Sequence, residues 1–178
     1  MRQLADPERI RAFMRALGAE ADQNAAVYLT GGATAVLIGW RAATIDVDLK
    51  MVPELDRLFR AIPRLKEELQ INVELASPAD FIPVQPGWEI RSAFIAREGR
   101  VSFYHFDLYA QALAKVERGH VQDVQDVQEL IARGLVDPSQ ARAYFARIEP
   151  EVYRYPAIDL RSFRAAVEET FGSIDMPG

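Results

Sequence analysis

The stretch that decides the fold is residues 27–51, VYLTGGATAVLIGWRAATIDVDLKM. It begins as a short apolar strand, passes through Gly31 and Gly32, and continues as a compact apolar segment that is typical of a buried helix. From Thr44 to Met51 polar and apolar residues alternate, which predicts a strand with one buried face. This stretch is therefore predicted to form a strand, a tight turn, a helix and a second strand. The candidate functional side chains are placed on these elements.

The composition is that of an ordinary globular protein. The chain has 178 residues, of which 49% are hydrophobic and 26% charged, with a formal net charge of −5. It contains no cysteine, and its two histidines lack the short spacing of a zinc motif, so a bound metal would be a hard cation such as Mg²⁺ or Mn²⁺. The negative charge argues against nucleic-acid binding through bulk electrostatics. No apolar run approaches the roughly 20 residues that span a bilayer, and we expect a cytoplasmic protein without a membrane partner.

The rest of the chain predicts an α+β fold, with a mixed β-sheet, flanking helices and a C-terminal helical segment. A helix is expected over 7–20, and Pro53 is expected to begin a second helix that Pro63 kinks or divides. The following segments are predicted to be a strand at 71–75, a proline-rich loop at 77–87, a hairpin around 97–100, and helices at 107–118, 121–133, 138–148 and 159–171. We expect a single domain over 1–178, with a core over about 1–107 and a helical part over about 108–178.

Two kinds of residue in the deciding stretch suit phosphoryl-transfer chemistry. Gly31 and Gly32 lie at a strand-to-helix junction, where backbone N–H groups favour anions and the missing side chains permit close approach. Asp46 and Asp48 are two apart on a strand, so they project from one face about 7 Å apart at Cα and can share a metal. The alternative is a plain turn followed by the solvent face of an edge strand, neutralised by Lys50.

The combined spacing resembles the signature of the DNA polymerase beta superfamily of nucleotidyltransferases. Paired glycines are followed, after thirteen residues, by Asp46-Val47-Asp48-Leu49. The resemblance implies a third carboxylate on a neighbouring strand, for which Glu74 is the candidate and Asp80 the fallback; an exposed structural position is the alternative for Glu74. Arg41 and Thr44 are similar to residues of the tRNA nucleotidyltransferase branch, but the Arg-Asp pair that follows the glycines there is absent, so a CCA-adding role is not implied.

A closer resemblance, over about 27–130, is to bacterial nucleotidyltransferase-like proteins related to the toxins of abortive-infection toxin–antitoxin systems, and to an uncharacterised family beside them. The matching order is Lys115, Arg118, Asp123 and Asp126, although Gln122 stands where the toxin pattern has a basic residue. Lys115 lies in a predicted helix whose apolar positions Leu108, Ala112 and Val116 face the core, so its ammonium could reach a triphosphate. The alternative is that Lys115 and Arg118 form surface ion pairs with the two aspartates.

The leading hypothesis is a metal-dependent enzyme that moves a nucleoside monophosphate from an NTP to an acceptor, which could be RNA, a protein or a small molecule. A noncatalytic nucleotide-binding or protein-interaction module is the second hypothesis, and a toxin restrained by a cognate antitoxin is the third. The roles expected in the enzyme are metal binding by Asp46, Asp48 and Glu74, triphosphate binding by Gly31 and Gly32, and charge compensation by Lys115.

Overall fold

The computed structural model describes residues 3–174, so residues 1–2 and 175–178 of the predicted domain lie outside the described range. The described chain forms two compact units. The first unit contains the residues up to Ser77 together with Ser92–Phe106, and the second contains Pro78–Arg91 together with the residues from Asp107 onward.

The first unit is built on a five-stranded mixed sheet, which confirms the predicted α+β class. The strands are β1 Ala25–Thr30, β2 Asp46–Val52, β3 Asn72–Glu74, β4 Ala93–Glu98 and β5 Val101–His105. Their order across the sheet is β3-β2-β1-β5-β4. β1 is antiparallel to β2 and parallel to β5, while β3 is parallel to β2 and β4 is antiparallel to β5. The predicted hairpin corresponds to β4 and β5.

Three helices accompany this sheet: α1 Pro7–Glu20, α2 Gly32–Ile38 and α3 Asp56–Leu69. The predicted bounds of α1 are confirmed, and the Asp6 side chain caps it by accepting a hydrogen bond from the Arg9 N–H at 2.8 Å. Alternate residues of the strands, such as Val47 and Leu49, join the buried side chains of α1 and α3 in one hydrophobic core. In β2 every second residue is therefore buried, which leaves the other face of this strand to polar side chains.

The predicted start of α3 was wrong. The helix begins at Asp56 rather than at Pro53, because β2 continues to Val52 and the chain needs a short turn before it can enter a helix. Pro63 does not divide the helix, which runs unbroken to Leu69. Pro63 is exposed while Ile62 and Leu65 beside it are buried, so core packing offsets the loss of one helical hydrogen bond on the solvent side.

The second unit is helical. Its α-helices are α4 Trp88–Arg91, α5 Leu108–Arg118, α6 Val121–Ala132, α7 Pro138–Ile148 and α8 Leu160–Phe171, and it also has 3₁₀ turns at Pro78–Asp80 and Glu149–Arg154. The four long helices agree with the predicted ones to within one residue at each end. The side chains of Asp107, Asp137 and Asp159 cap α5, α7 and α8. The short helix α4 was not predicted, because four residues are too few to show a helical period. Within residues 3–174, no helix has both the length and the hydropathy needed to cross a membrane.

Candidate functional site

Asp46 and Asp48 lie on an interior strand of the sheet. Both are half-buried, and they alternate with the buried residues Val47 and Leu49, as predicted. β2 has β1 on one side and β3 on the other, so the edge-strand interpretation of this pattern was wrong. Two carboxylates on one face of an interior strand repel each other, and a cation bound between them would relieve that repulsion.

The two glycines form the turn between β1 and α2, next to the carboxylates. Gly31 has a φ of 64°, in the left-handed region, and a Cβ placed on it would lie 3.2 Å from Asp48 Oδ2. A Cβ on Gly32 would lie 2.6 Å from Thr44 Cβ and would collide with the Thr44 hydroxyl. A plain turn would not require Asp48 and Thr44 to come this close to the two glycines. Both glycines are therefore needed here so that neighbouring side chains can come close to the backbone.

Glu74 lies beside Asp48 on the neighbouring strand, as the resemblance implied. The register of β2 and β3 pairs Asp48 with Glu74 and Asp46 with Asn72. The Asn72 side-chain amide donates to Asp46 Oδ1 at 2.6 Å and to Glu74 Oε1 at 3.3 Å, so it links the two carboxylates. Sequence reasoning missed Asn72, although its position two residues before Glu74 on a short strand places it on the same polar face.

The donor set of this cluster suits a hard divalent cation. Asp46, Asp48 and Glu74 present carboxylate oxygens, the ligands that Mg²⁺ prefers, and Gly31 leaves room beside Asp48. Within residues 3–174, however, no three carboxylate or imidazole side chains are arranged to hold a metal ion as they stand. The close partner of Asp46 in this arrangement is the Asn72 amide. Metal binding by all three carboxylates would require their side chains to rearrange.

Arg41 and Thr44 belong to the loop that leads from α2 into β2. Thr44 is buried, and its hydroxyl donates to the Asp46 carbonyl oxygen at 3.1 Å. Its backbone exchanges two hydrogen bonds with Ala5, at 2.8 and 3.0 Å. The half-buried Arg41 extends to the glycine turn, where its Nη1 atom would lie 3.1 Å from a Cβ on Gly32. Both residues therefore lie beside the glycines and directly before the strand that carries the aspartates.

Lys115, Arg118, Asp123 and Asp126 form a charged network within the second unit. Lys115 Nζ lies 2.8 Å from Asp126 Oδ2 and 3.8 Å from Asp123 Oδ1. Arg118 donates to both oxygens of Asp123, at 2.8 and 2.6 Å. The predicted pairing is present, but Lys115 and both aspartates are buried, so this is not the surface arrangement that the alternative interpretation described.

The electrostatics of Asp123 reflect this network. Burial alone would raise the pKa of the Asp123 carboxyl, but the hydrogen bonds and charge of Arg118, the charge of Lys115 and the His120 N–H together lower it below its usual value. Asp123 is therefore ionised in neutral solution, as its bidentate contact with Arg118 requires. Asp80, the fallback carboxylate, ends a 3₁₀ turn of the same unit.

His105 is buried on the same strand face as Val101 and Phe103. It is 8% exposed, and its Nδ1 atom is 3.0 Å from the hydroxyl of Thr34, a buried residue of α2. Burial, with a smaller contribution from the charge of Arg11, lowers the pKa of His105 to about 4. The imidazole is thus neutral at pH 7, and its contact joins β5 to the helix that follows the glycine turn. Sequence reasoning did not identify Thr34 as its partner.

The turn of two glycines, the carboxylate pair on the next strand and the mixed sheet around them define a protein of the nucleotidyltransferase class. A family model described as "Nucleotidyltransferase of unknown function (DUF6036)" matches residues 8–164, and the chain belongs to this family. No curated protein and no solved structure matches the chain significantly.

Proposed function

We propose that this protein is a metal-dependent nucleotidyltransferase that moves a nucleoside monophosphate from an NTP to an acceptor and releases pyrophosphate. The observation that carries the proposal is the contact between the glycine turn and the carboxylate pair, in which Asp48 Oδ2 lies 3.2 Å from the place of a Gly31 Cβ. A phosphate received at this turn would lie next to the oxygens that hold the metal. An NTP-dependent enzyme of this kind would work in the cytoplasm, where NTPs are available.

Each group in the cluster has a role in this reaction. Asp46 and Asp48 would hold Mg²⁺, with Glu74 as the third ligand, and one of the aspartates would accept the proton of the acceptor hydroxyl. When bound, Mg²⁺ would neutralise charge on the phosphate oxygens. The acceptor oxygen forms a bond to the α-phosphorus as the bond from that phosphorus to the bridging oxygen breaks. Gly31 and Gly32 would bring backbone N–H groups close to the triphosphate.

Calorimetric titration tests the proposal. Purified protein is titrated with nonhydrolysable analogues of the four NTPs in Mg²⁺, beside the Asp46→Ala/Asp48→Ala variant. The matched control is Asp22→Ala/Asp56→Ala, which removes the same charge from two exposed aspartates of the first unit. We expect binding that requires both the metal and the Asp46–Asp48 pair and that persists in the control. Equal binding by all three proteins, or none at millimolar nucleotide by folded wild type, would contradict the proposal.

A noncatalytic nucleotide-binding module is the second candidate. The observation that favours it is the arrangement of the carboxylates, since no group of three within residues 3–174 is set to hold a metal. Such a protein would bind a triphosphate but release no pyrophosphate with RNA, protein or small-molecule acceptors. Pyrophosphate release that Glu74→Gln abolishes would exclude this candidate.

The toxin hypothesis makes a separate prediction. A toxin would arrest growth when expressed, and the Asp46→Ala variant and a cognate antitoxin would each restore growth. Growth arrest that persists in Asp46→Ala would show that the effect does not come from nucleotidyl transfer.

A further inference from the structure

A positively charged side chain and a carboxylate both lie next to the glycine turn. A Cβ on Gly32 would lie 3.1 Å from Arg41 Nη1, whereas a Cβ on Gly31 would lie 3.2 Å from Asp48 Oδ2. The guanidinium and the carboxylate are thus in close contact with successive glycines. Any ligand that enters this turn meets both charges.

The loop that carries Arg41 is held at both of its ends. It follows α2, and at its other end the Thr44 backbone exchanges two hydrogen bonds with Ala5. The buried Thr44 hydroxyl also donates to the Asp46 carbonyl oxygen, which ties the loop to the first residue of β2. Because the loop is fixed, the backbone of Arg41 is positioned before a ligand binds. Binding therefore costs little backbone conformational entropy.

A magnesium triphosphate requires this combination of charges. The carboxylates attract the metal but repel the phosphate oxygens, so a cation must contact the oxygens that the metal leaves exposed. A guanidinium suits this role because its planar array of N–H donors can bind two phosphate oxygens at once. Arg41 presents such a group at the turn. The Lys115 ammonium lies 2.8 Å from Asp126 and is buried within the second unit.

We propose that Arg41 binds the terminal phosphates of the nucleotide and makes the site selective for triphosphates over monophosphates. This inference rests on the proposed function, because it assigns a role at the same site. It goes further in giving one side chain a defined part in substrate selection. A charge-compensating role for Lys115 stays a prediction from the sequence.

The test compares nucleotides that differ only in the number of phosphates. Wild type, Arg41→Gln and Arg41→Lys are titrated with a nonhydrolysable ATP analogue and with AMP, both in Mg²⁺. Loss of charge-assisted hydrogen bonds should weaken triphosphate binding by about 10- to 100-fold in Arg41→Gln. AMP binding should change by less than about 3-fold, and Arg41→Lys should fall between wild type and Arg41→Gln. Arg57→Gln, which removes an exposed arginine of α3, serves as the matched control.

Equal losses for the triphosphate and AMP, or no loss for either, would overturn the role of Arg41. Thermal unfolding of each variant identifies a misfolded protein. If Arg41→Gln is misfolded, wild type is compared with Arg41→Lys instead. Inorganic tripolyphosphate, titrated in Mg²⁺, separates this inference from the proposed function because it has the phosphate chain but no nucleoside. Metal-dependent nucleotide binding that is as strong in Arg41→Gln as in wild type would refute the inference alone. Tripolyphosphate binding that needs Arg41, without any nucleotide binding, would refute the proposed function alone, and the absence of both would refute both.

Discussion

The buried His105 should make the stability of the protein depend on pH between pH 7 and pH 5. Its pKa is about 4 in the folded protein, compared with 6.5 for an unperturbed histidine. Between these values the unfolded chain binds a proton that the folded protein excludes, so acid favours unfolding. The stabilisation is complete above pH 6.5, is lost as the pH falls, and stops changing below about pH 4.

The magnitude follows from the size of the shift. One pKa unit corresponds to about 1.4 kcal/mol, and integration between pH 7 and pH 5 gives a loss of about 2 kcal/mol from this one group. Asparagine cannot titrate, but its amide can still contact the hydroxyl of Thr34, which lies 3.0 Å from the imidazole. We therefore expect His105→Asn to remove about 2 kcal/mol of the pH dependence.

Urea denaturation at pH 7 and pH 5, followed by circular dichroism, measures this difference. The control is His120→Asn, because His120 is the other histidine of the chain and its side chain is 73% exposed. The control should keep the wild-type pH dependence. The reasoning would be refuted if His105→Asn lost as much stability between the two pH values as wild type. A His105 imidazole that titrates near pH 6.5 by NMR would refute it directly.

Two further substitutions test the site and the charged network. Gly32→Ala should lower the free energy of unfolding by about 1–3 kcal/mol and weaken Mg²⁺–NTP binding, because the new methyl group displaces Thr44. Gly134→Ala, at a positive φ with no atom within 4 Å of the added Cβ, should cost about 1–2 kcal/mol and leave binding unchanged; equal effects on binding would contradict the steric argument. Asp126→Ala should cost about 3 kcal/mol in urea denaturation, because it removes the closer carboxylate from the buried Lys115 and leaves Asp123 at 3.8 Å, whereas Lys115→Met/Asp126→Leu should cost less. A double variant as unstable as the single one would show that the weakened compensation of the Lys115 charge is not the cause.

Much of the fold and part of the site could be predicted from local patterns. The alternation around Asp46 and Asp48 identified β2 and its polar face, because a strand reverses its side chains at every residue. The long helices were predictable from apolar spacing and capping aspartates, as Asp107 before α5 illustrates. These features depend on residues that are near one another in the chain.

Features that depend on distant residues could not be predicted in this way. No residue near Asp48 in the sequence indicates that β3 pairs with β2. An edge strand therefore remained an alternative interpretation of the alternating pattern. The Asn72–Asp46 hydrogen bond joins residues 26 positions apart, and the contact of His105 with Thr34 joins residues 71 apart. The burial of Lys115 likewise arises from packing of α5 against α6, which residue spacing does not reveal.

The backbone bridge between Ala5 and Thr44 makes the chain ahead of α1 part of the support of the proposed metal site. Thr44 directs the chain into β2, and its partner Ala5 comes from a segment that carries none of the proposed metal ligands. Proteolytic trimming as far as Asp6 would therefore loosen the approach to Asp46 while leaving every carboxylate intact. A fusion tag placed directly before Ala5 would act on the same loop, so an activity assay is better served by a tag at the opposite terminus.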